Sequence, residues 1–419
     1  MKLFKEKRVS IKTEDVLLLF FLVSISAFRL NPIITVASYI LVLGYSFLVN
    51  KNILLTRILK WGVVFWTYYF ISAFWSSDAS DTIRYLSAFA YTIGIFLFLP
   101  KLITDEKKIE KLLKLIVCSI AISAIMTLLL TPLSELGSSR IGGAIDMNAN
   151  SFGIRMAFGF IISLFLLCNK SIQINRLLYS LLSILFTILT LLSGSKKALL
   201  LIILGLIMVI FITSANKKKV LKVLVSLLMA AAMIFIVISN DKLYSTMGYR
   251  LERFFLTLNS ENSESTTLNT VNGRVGTTDK SLIERNYYMN EAMTLFAEHP
   301  AFGYGGNNFV TYMREKKYRH VAYSHNNYTE ILCTLGVVGF VIYYSYWIWA
   351  IIKLIRIKRS TNDDSVKKYS ELFLSVLLLL LILDYGNVSY TLEFNMFILC
   401  IVDIFIRLNG KQRINNETQ

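Results

Sequence analysis

Residues 325–352 read HNNYTEILCTLGVVGFVIYYSYWIWAII. After a polar start, the run stays apolar for long enough to cross the hydrocarbon core of a membrane, which takes about 20 helical residues. Lipid offers the backbone no hydrogen-bond partners, so a spanning segment must satisfy its own N–H and C=O groups as a helix. The stretch therefore predicts a transmembrane helix with a histidine, His325, at its outer end.

Similar apolar runs recur along the whole chain of 419 residues, 55% of which are hydrophobic. The mean hydropathy is +0.57. We expect an all-α, polytopic integral membrane protein with about 12 transmembrane helices in a single membrane domain over residues 1–419. The predicted spans are 14–30, 33–49, 58–75, 82–99, 112–131, 151–168, 176–193, 197–213, 221–239, 325–352, 370–388 and 391–408.

Basic residues alternate between successive loops, and this alternation predicts the orientation. Lys and Arg are frequent at the N-terminus, in every second loop and in the C-terminal tail, and the intervening short loops have few. Cytoplasmic loops carry such an excess, so we expect both termini in the cytoplasm. The same pattern explains most of the net charge of +17 without a nucleic-acid partner. The N-terminal group consists of Lys2, Lys5, Lys7, Arg8 and Lys12.

One large extracytoplasmic loop is predicted at 240–324, between spans nine and ten. It contains many Lys and Arg, but long loops cross the membrane largely regardless of charge. Within it, Asn259–Thr278 is rich in Ser, Thr and Asn and predicts a flexible linker. Ser281–Ala297 has the apolar spacing of a helix, which His299-Pro300 should end.

Several function classes lack their usual motifs. No Walker sequence, G-x-G-x-x-G or H-E-x-x-H occurs, which argues against a nucleotide-driven pump and a membrane metalloprotease. The four cysteines all lie in predicted spans without C-x-x-C spacing. They therefore favour neither a disulfide framework nor a zinc site.

Polar residues at the outer ends of the predicted spans are candidates for a binding site. Cations beside a span are costly unless they face a cavity or a partner. Several Arg and Lys with few carboxylates suit phosphate or diphosphate. For each cation alone, the alternative is a side chain that reaches the lipid headgroups. The candidates are Arg140, Asn148, Arg155, Lys196, Lys197 and Arg285.

All three histidines, His299, His320 and His325, fall in one short segment. A neutral imidazole accepts a proton near physiological pH and is a common general base. His325 is the best placed of the three, with a polar end group of the helix as the alternative interpretation. We interpret His299, which precedes a proline, as structural and His320 as solvated.

Four motifs, in this order, resemble the O-antigen polymerase/ligase superfamily of bacterial envelopes. The resemblance covers residues from about 140 to 345 and the overall topology, and it rests on order and spacing because no single motif is highly specific. The hairpin of the family usually reads G-S-R, so Lys196 stands at the arginine position and keeps the charge without the bidentate fork. The motifs are the loop with Arg140, Gly142 and Asn148, the hairpin Gly194–Leu199, the H-P-x-x-G-x-G-x-N-x-F stretch His299–Phe309 and the helix start His325–Gly339.

The resemblance implies a membrane glycosyltransferase of GT-C-like architecture in the bacterial cytoplasmic (inner) membrane, with an extracytoplasmic site. Its donor and acceptor would be glycans on undecaprenyl diphosphate, as in O-antigen, capsule or exopolysaccharide synthesis. Membrane lipid, a flippase and a chain-length regulator would be partners. No metal, nucleotide or other cofactor would be needed, because the lipid diphosphate bond supplies the free energy.

The same resemblance implies roles for individual residues. His325 would deprotonate the acceptor hydroxyl, and Asn326 and Tyr328 would orient the sugar or the histidine. A charge-neutralised diphosphate leaves without a general acid, which would explain cations in place of the paired carboxylates of glycosidases. The residues implied to bind the diphosphate or substrate are Arg140, Asn148, Arg155, Lys196, Lys197 and Arg285.

We predict a repeat-unit polymerase, with two alternatives. A ligase would share the donor chemistry and pass the glycan to a lipopolysaccharide core or a wall acceptor. A transporter of a polyanionic lipid would also use cations along a cavity, but transporters usually show matching halves, and no such symmetry is visible in the sequence.

Overall fold

The computed structural model describes residues 12–27, 32–136, 139–145, 147–169, 171–213, 219–259, 269–271, 274–276, 280–316 and 322–417. The N-terminal Lys2, Lys5, Lys7 and Arg8, most of the predicted linker and His320 lie outside these ranges. The α-helices are α1 (Thr13–Ala27), α2 (Pro32–Val49), α3 (Arg57–Ile71), α4 (Ala79–Ile83), α5 (Leu86–Leu102), α6 (Glu106–Leu130), α7 (Ala149–Cys168), α8 (Arg176–Leu192), α9 (Lys196–Thr213), α10 (Lys219–Ser239), α11 (Asp241–Leu243), α12 (Tyr249–Asn259), α13 (Lys280–Glu298), α14 (Asn308–Glu315), α15 (Asn327–Ser360), α16 (Asp364–Asp384) and α17 (Glu393–Glu417).

The predicted all-helical class is confirmed, apart from one short hairpin in the described part of the chain. Short 3₁₀ helices occupy Ser72–Phe74 and Gly143–Ile145, and a π-helix occupies Tyr244–Gly248. The hairpin, which the sequence analysis did not predict, pairs β1 (Asn269–Val271) with β2 (Arg274–Gly276) in antiparallel fashion.

A helix lies at each of the twelve predicted positions, but fewer helices are long and apolar enough to span a membrane. Among the described residues, 5 qualify, and a sixth is a pair, Leu227–Ser239 and Tyr244–Leu256, bent by 101°. α1 and α3 have 15 residues each, or about 22 Å of helix, less than the ~30 Å core. The number of twelve spans therefore stays a prediction. The qualifying helices are Ala79–Leu102, Glu106–Leu130, Ala149–Cys168, Lys196–Thr213 and Asn327–Ser360.

The helices bury one side against each other and expose apolar side chains on the outside. Trp66 and Trp347 are 1% exposed in the core, whereas Leu48 and Leu129, on α2 and α6, are 82% and 79% exposed. A large apolar outer surface is costly in water and marks a face that contacts lipid or another protein. The burial pattern therefore fits a helical bundle in a membrane.

One end of the bundle collects basic residues together with the carboxylates and carbonyls that they contact. The starts of α1, α6 and α16 and the ends of α5, α15 and α17 meet there. Because α15 begins at Asn327 and ends at this basic region, its N-terminal end lies at the opposite end of the bundle. The contacts that join these helix ends are Lys108–Glu14 at 3.2 Å, Lys358–Glu371 at 2.7 Å and Arg407 Nη2 to Pro100 O at 3.0 Å.

Helix α15 is broken at Gly336, and the segment 300–305 repairs the break. Gly336 has φ 66° and ψ −171°, so the regular backbone ladder is interrupted there. The amides of Tyr304 and Gly305 donate to Cys333 O and Thr334 O at 2.9 and 2.8 Å. On the far side of the break, Val337 N and Val338 N donate to Pro300 O and Ala301 O at 2.9 and 3.2 Å. The H-P-x-x-G-x-G segment thus fixes the direction of the first turns of α15 relative to the rest of the helix.

The predicted helix in the large loop is confirmed as α13, which ends at Glu298 directly before His299-Pro300. Its buried residues Tyr288, Ala292 and Leu295 pack with Phe309, of α14, and Cys333, of α15. This second, smaller core holds α13 against the start of α15. α13 is therefore positioned to carry side chains toward His325.

Candidate functional site

His325 lies just outside α15 and has a left-handed backbone, with φ 62°. The helix starts at Asn327 with Asn326 as its N-cap, so the predicted position of His325 as a helix residue was wrong by two positions. Left-handed conformations of non-glycine residues are uncommon and cluster at functional sites. The imidazole is partly buried between two tyrosines, with ring centroids 4.3 Å from Tyr323 and 5.9 Å from Tyr288.

The surroundings of His325 keep its imidazole neutral. Burial is the largest cause that lowers the pKa of His325 from 6.5 to about 4, and the positive charges of Arg285 and Lys197 add to it. A proton on His325 would be poorly solvated and repelled by both cations. At neutral pH the side chain is therefore an unprotonated acceptor.

Arg285, on α13, lies within electrostatic range of His325, Arg140 and Lys197. It disfavours a proton on His325, and it also lowers the pKa of Arg140. For Arg140 burial is the largest cause, followed by Arg250 and Arg285, and its pKa falls to about 10, so the guanidinium stays charged at neutral pH. We call Arg140, Lys197, Arg285 and His325 the cationic cluster. Like charges gathered with no carboxylate partner among the described residues are typical of a site for a polyanion.

Arg140 is held in this cluster by two fixed contacts. Its Nε donates to Ser193 O at 2.8 Å, and its Nη2 donates to Asn150 Oδ1 at 2.7 Å. Asn148 caps α7 by accepting from Asn150 N at 2.8 Å, so it supports the residue that holds Arg140. Next to Ser193, Gly194 has φ 62°, and a Cβ there would lie 3.1 Å from Arg140 Nε. The loop with Arg140 and the hairpin thus form one packed unit.

The two lysines of the hairpin point to different partners. Lys197 Nζ donates to Gly386 O, in the loop between α16 and α17. Lys196 Nζ lies 4.9 Å from the ring centroid of Phe254, on α12. The structure therefore brings Lys197 into the cluster, although the sequence resemblance favoured Lys196 as the counterpart of the family's arginine.

Residues 181–344 match the family model for O-antigen ligase. The match confirms the predicted resemblance to the O-antigen polymerase/ligase superfamily over this part of the chain, which contains Lys196, Lys197, Arg285 and His325. It supports a glycosyltransferase-like membrane enzyme that uses lipid-linked glycans. A comparison with curated proteins found no match.

Arg155 has its described contacts outside the cationic cluster. It is 8% exposed on α7, its Nη1 donates to Ile25 O, and its Cζ lies 6.0 Å from the ring centroid of Phe394. These contacts join α7 to the end of α1 and the start of α17. A direct role of Arg155 in donor binding stays a prediction.

Asn326 and Tyr328 both have structural contacts. Asn326 Oδ1 accepts from Tyr328 N at 2.8 Å and Thr329 N at 3.2 Å, which caps α15. Tyr328 Oη donates to Leu381 O at 2.8 Å, on α16. These bonds fix the peptide next to His325, and the predicted orienting role of the two side chains stays a prediction. Contact of either side chain with a sugar stays a prediction.

A buried polar network, not predicted from the sequence, surrounds Asp384, which is 0% exposed. Asn327 Nδ2 and Tyr344 Oη donate to Asp384 Oδ2 at 3.2 and 3.0 Å, and Ser389 Oγ donates to Oδ1. Asn327 Oδ1 in turn accepts from Ser389 N at 2.8 Å. The network ties the first residue of α15 to the loop whose Gly386 O binds Lys197. A carboxylate inside a predicted span was the available signal, since such residues are rare and functional.

Proposed function

We propose that the protein is a repeat-unit polymerase that transfers a glycan from undecaprenyl diphosphate to the terminal sugar of another lipid-linked repeat unit. The observation that carries the proposal is a neutral imidazole within electrostatic range of Arg285 and Lys197, with Arg140 within range of the same Arg285. A proton acceptor and a polyanion site thus occur together. Transfer from a diphosphate donor to a hydroxyl needs these two functions.

The reaction proceeds by displacement at the anomeric carbon of the donor sugar. The acceptor oxygen bonds to this carbon as the bond from the carbon to the diphosphate oxygen breaks. The acceptor proton passes to His325, and undecaprenyl diphosphate leaves with the electron pair. Arg140, Lys197 and Arg285 stabilise the charge that develops on the diphosphate, an electrostatic contribution that is often the largest in such sites.

Donor binding would also prepare the base. In the free protein, burial and two cations oppose protonation of His325. A bound diphosphate places negative charge beside these cations and offsets their effect, so the pKa of His325 rises toward the pH at which a general base works best. The histidine is thereby a stronger base when the donor is present.

In the proposed reaction, the other predicted residues act indirectly, through charge or through contacts with neighbouring parts of the chain. Lys196 contributes positive charge behind Lys197, and Asn148 supports the Arg140 loop through Asn150. Asn326 fixes the peptide after His325. Arg155 joins α7, the helix that follows the Arg140 loop, to α1 and α17.

The proposed location is the extracytoplasmic face of the bacterial inner membrane, with both termini in the cytoplasm. The supporting observation is that the start of α15 lies at the end of the bundle opposite to the basic helix ends. Basic ends favour the cytoplasm. The cluster would then face the side on which lipid-linked repeat units are joined.

The test is a reaction of purified protein with a lipid-diphosphate-linked repeat unit and no other acceptor, followed on a glycan gel. A ladder of lengthening products supports the polymerase. Product that forms only after a lipopolysaccharide core acceptor is added would make the protein a ligase. Donor binding without transfer to either acceptor would refute the transferase and favour the transporter.

A further inference from the structure

A cavity of about 700 Å³ lies between the turn after α3 and the segment that follows α13. Ligand pockets of proteins have volumes of about 300–1,000 Å³. Its walls carry two large aromatic rings, Trp75 and Phe302, and polar side chains that include Glu298, His299 and Ser76. None of these residues belongs to the cationic cluster, so the proposed reaction does not account for this cavity.

The cavity is built on rigid backbone. A Cβ on Gly305, which has φ 97°, would collide with Ser76, and a Cβ on Gly303 would lie 2.5 Å from Thr334 C. Ser72 Oγ also accepts from Gly306 N at 2.8 Å. The turn after α3 and the 303–306 segment are thus locked together and onto α15. The cavity therefore exists before any ligand binds.

The aromatic side chains of the cavity are available to a ligand. Trp75 is 39% exposed and Phe302 is 55% exposed, with ring centroids 5.9 Å apart in an edge-to-face arrangement. A pyranose ring has a face of C–H groups that packs against an aromatic ring and a rim of hydroxyls that needs hydrogen-bond partners. An exposed aromatic pair beside polar groups matches both parts of a sugar.

The polar wall selects against other ligands. Tyr304 Oη donates to Glu298 Oε2, and the His299 ring meets Tyr304 edge to face at 4.5 Å. A carboxylate repels phosphate and acidic sugars, and an acyl chain would cover the exposed carboxylate of Glu298 without donating a hydrogen bond to it. A neutral sugar can instead donate its hydroxyls to the carboxylate and accept from other groups of the wall.

The cavity is too far along α15 to hold the reacting sugar. The backbone amides of Tyr304, which lines the cavity, and of the next residue donate to Cys333 O and Thr334 O. These acceptors lie seven and eight residues after the N-cap of α15 at Asn326. At ~1.5 Å per residue, this is roughly 10–12 Å from the start of the helix. A sugar in the cavity would therefore not be the reacting sugar. It would belong to the same glycan chain and lie some sugar units away from the glycosidic bond that forms.

We propose that this cavity, lined by Trp75, Phe302 and Glu298, is a binding subsite for neutral sugar residues of the glycan chain, separate from the diphosphate site. The proposal rests on the proposed function for the identity of the glycan. The subsite holds the growing glycan chain in place between successive additions of repeat units. Remote binding of this kind positions the reacting end.

The test is a binding measurement on the full-length protein in detergent. The probe is a soluble oligosaccharide of two repeat units, cut from the surface polysaccharide of the source cell and free of lipid. We expect Trp75→Ala and Phe302→Ala each to weaken its binding at least tenfold, with unchanged affinity for undecaprenyl diphosphate without sugar. The matched control is Phe74→Ala, because Phe74 neighbours Trp75, is 90% exposed and does not line the cavity.

Arg285→Ala should give the reverse pattern, with weakened binding of undecaprenyl diphosphate and unchanged binding of the oligosaccharide. Unchanged oligosaccharide affinity in both cavity variants would overturn the subsite. An equal loss in Phe74→Ala would also overturn it and would indicate aromatic contact with the membrane surface. Failure of transfer with intact, cavity-dependent oligosaccharide binding would refute the proposed reaction and leave the subsite standing.

Discussion

Substitution of Arg285 by alanine should raise the pKa of His325, because Arg285 is one of the two cations that oppose its protonation. Burial remains, and it is the larger cause, so the pKa in the variant should lie between about 4 and the ordinary 6.5. Removal of Lys197 as well should raise it further. The neutral histidine is the active form, so activity falls as the pH falls through this pKa.

The size of the effect follows from simple titration. At pH 5.5, a histidine with a pKa of about 4 is roughly 3% protonated, whereas one with the ordinary value of 6.5 is roughly 90% protonated. If the pKa of His325 had its ordinary value, His325 would thus be neutral, and able to act as a base, in only about one-tenth of the molecules at this pH. In the folded protein, His325 should be neutral in nearly all molecules at the same pH.

The assay is the pH dependence of kcat/KM for glycan transfer, which reports the pKa values of the free enzyme. Arg285→Ala also weakens donor binding and lowers the whole curve, but the midpoint of the acidic limb does not depend on its height. The matched control is Arg359→Ala, an exposed arginine near the other end of α15. A direct check is an NMR titration, in which only three histidines have to be assigned.

A wild-type midpoint near 6.5 would refute the description of His325 as buried among cations. A midpoint in Arg285→Ala at or below that of the wild type would refute the charge contribution of Arg285. A shift of the same size in Arg359→Ala would show that the effect comes from net charge and not from the cluster.

Three further predictions concern the parts that hold the cluster. Lys197→Ala should weaken binding of undecaprenyl diphosphate severalfold more than Lys196→Ala in a binding assay, because Lys197 neighbours Arg285 and His325; equal losses would contradict this assignment. Gly336→Ala should lower the free energy of unfolding by more than the ~1–3 kcal/mol of a residue held in a glycine-only backbone conformation, since its Cβ would also collide with Ala301 O. Gly44→Ala, with nothing near its Cβ, should be neutral or stabilising by up to about 1 kcal/mol in the same unfolding experiment. Asp384→Ala leaves buried donors without an acceptor and should destabilise by about 1–3 kcal/mol, with Asp384→Asn closer to the wild type; equal stability of the Ala variant would contradict the network.

The apolar runs predicted helix positions well because length and hydrophobicity alone decide them in a membrane. The ends were less predictable. The run 58–75 continues in the sequence, but α3 ends at Ile71, where a 3₁₀ turn leads to the segment that packs against Gly305. Such an end depends on a partner more than 200 residues away, which no local pattern shows.

The residues of the candidate site could be predicted from the sequence, but their arrangement in space could not. Arg140, Lys197, Arg285 and His325 were all among the predicted residues. The choice between Lys196 and Lys197 was not available from the sequence, since neighbouring helical residues point about 100° apart and packing decides which one faces the site.

The partners of Asp384 in the buried network, and the break in α15, could not be predicted from the sequence for the same physical reason. Asn327, Tyr344, Asp384 and Ser389 are separated along the chain and meet only through the packing of α15 against α16. A Cβ on Gly336 would collide with Ala301 O, so the glycine lets the 300–305 segment approach α15 closely. The break in the helix that accompanies it depends on the 300–305 segment.

Whether His325 accepts the proton of the acceptor hydroxyl can be measured by single-turnover transfer in His325→Asn. Asparagine tolerates the left-handed backbone at this position and lacks a basic nitrogen, so the variant separates chemistry from folding. We expect unchanged binding of the lipid-linked donor and a rate of transfer lower by about 10²–10⁴-fold. A variant that binds the donor and transfers it at the wild-type rate would contradict the account.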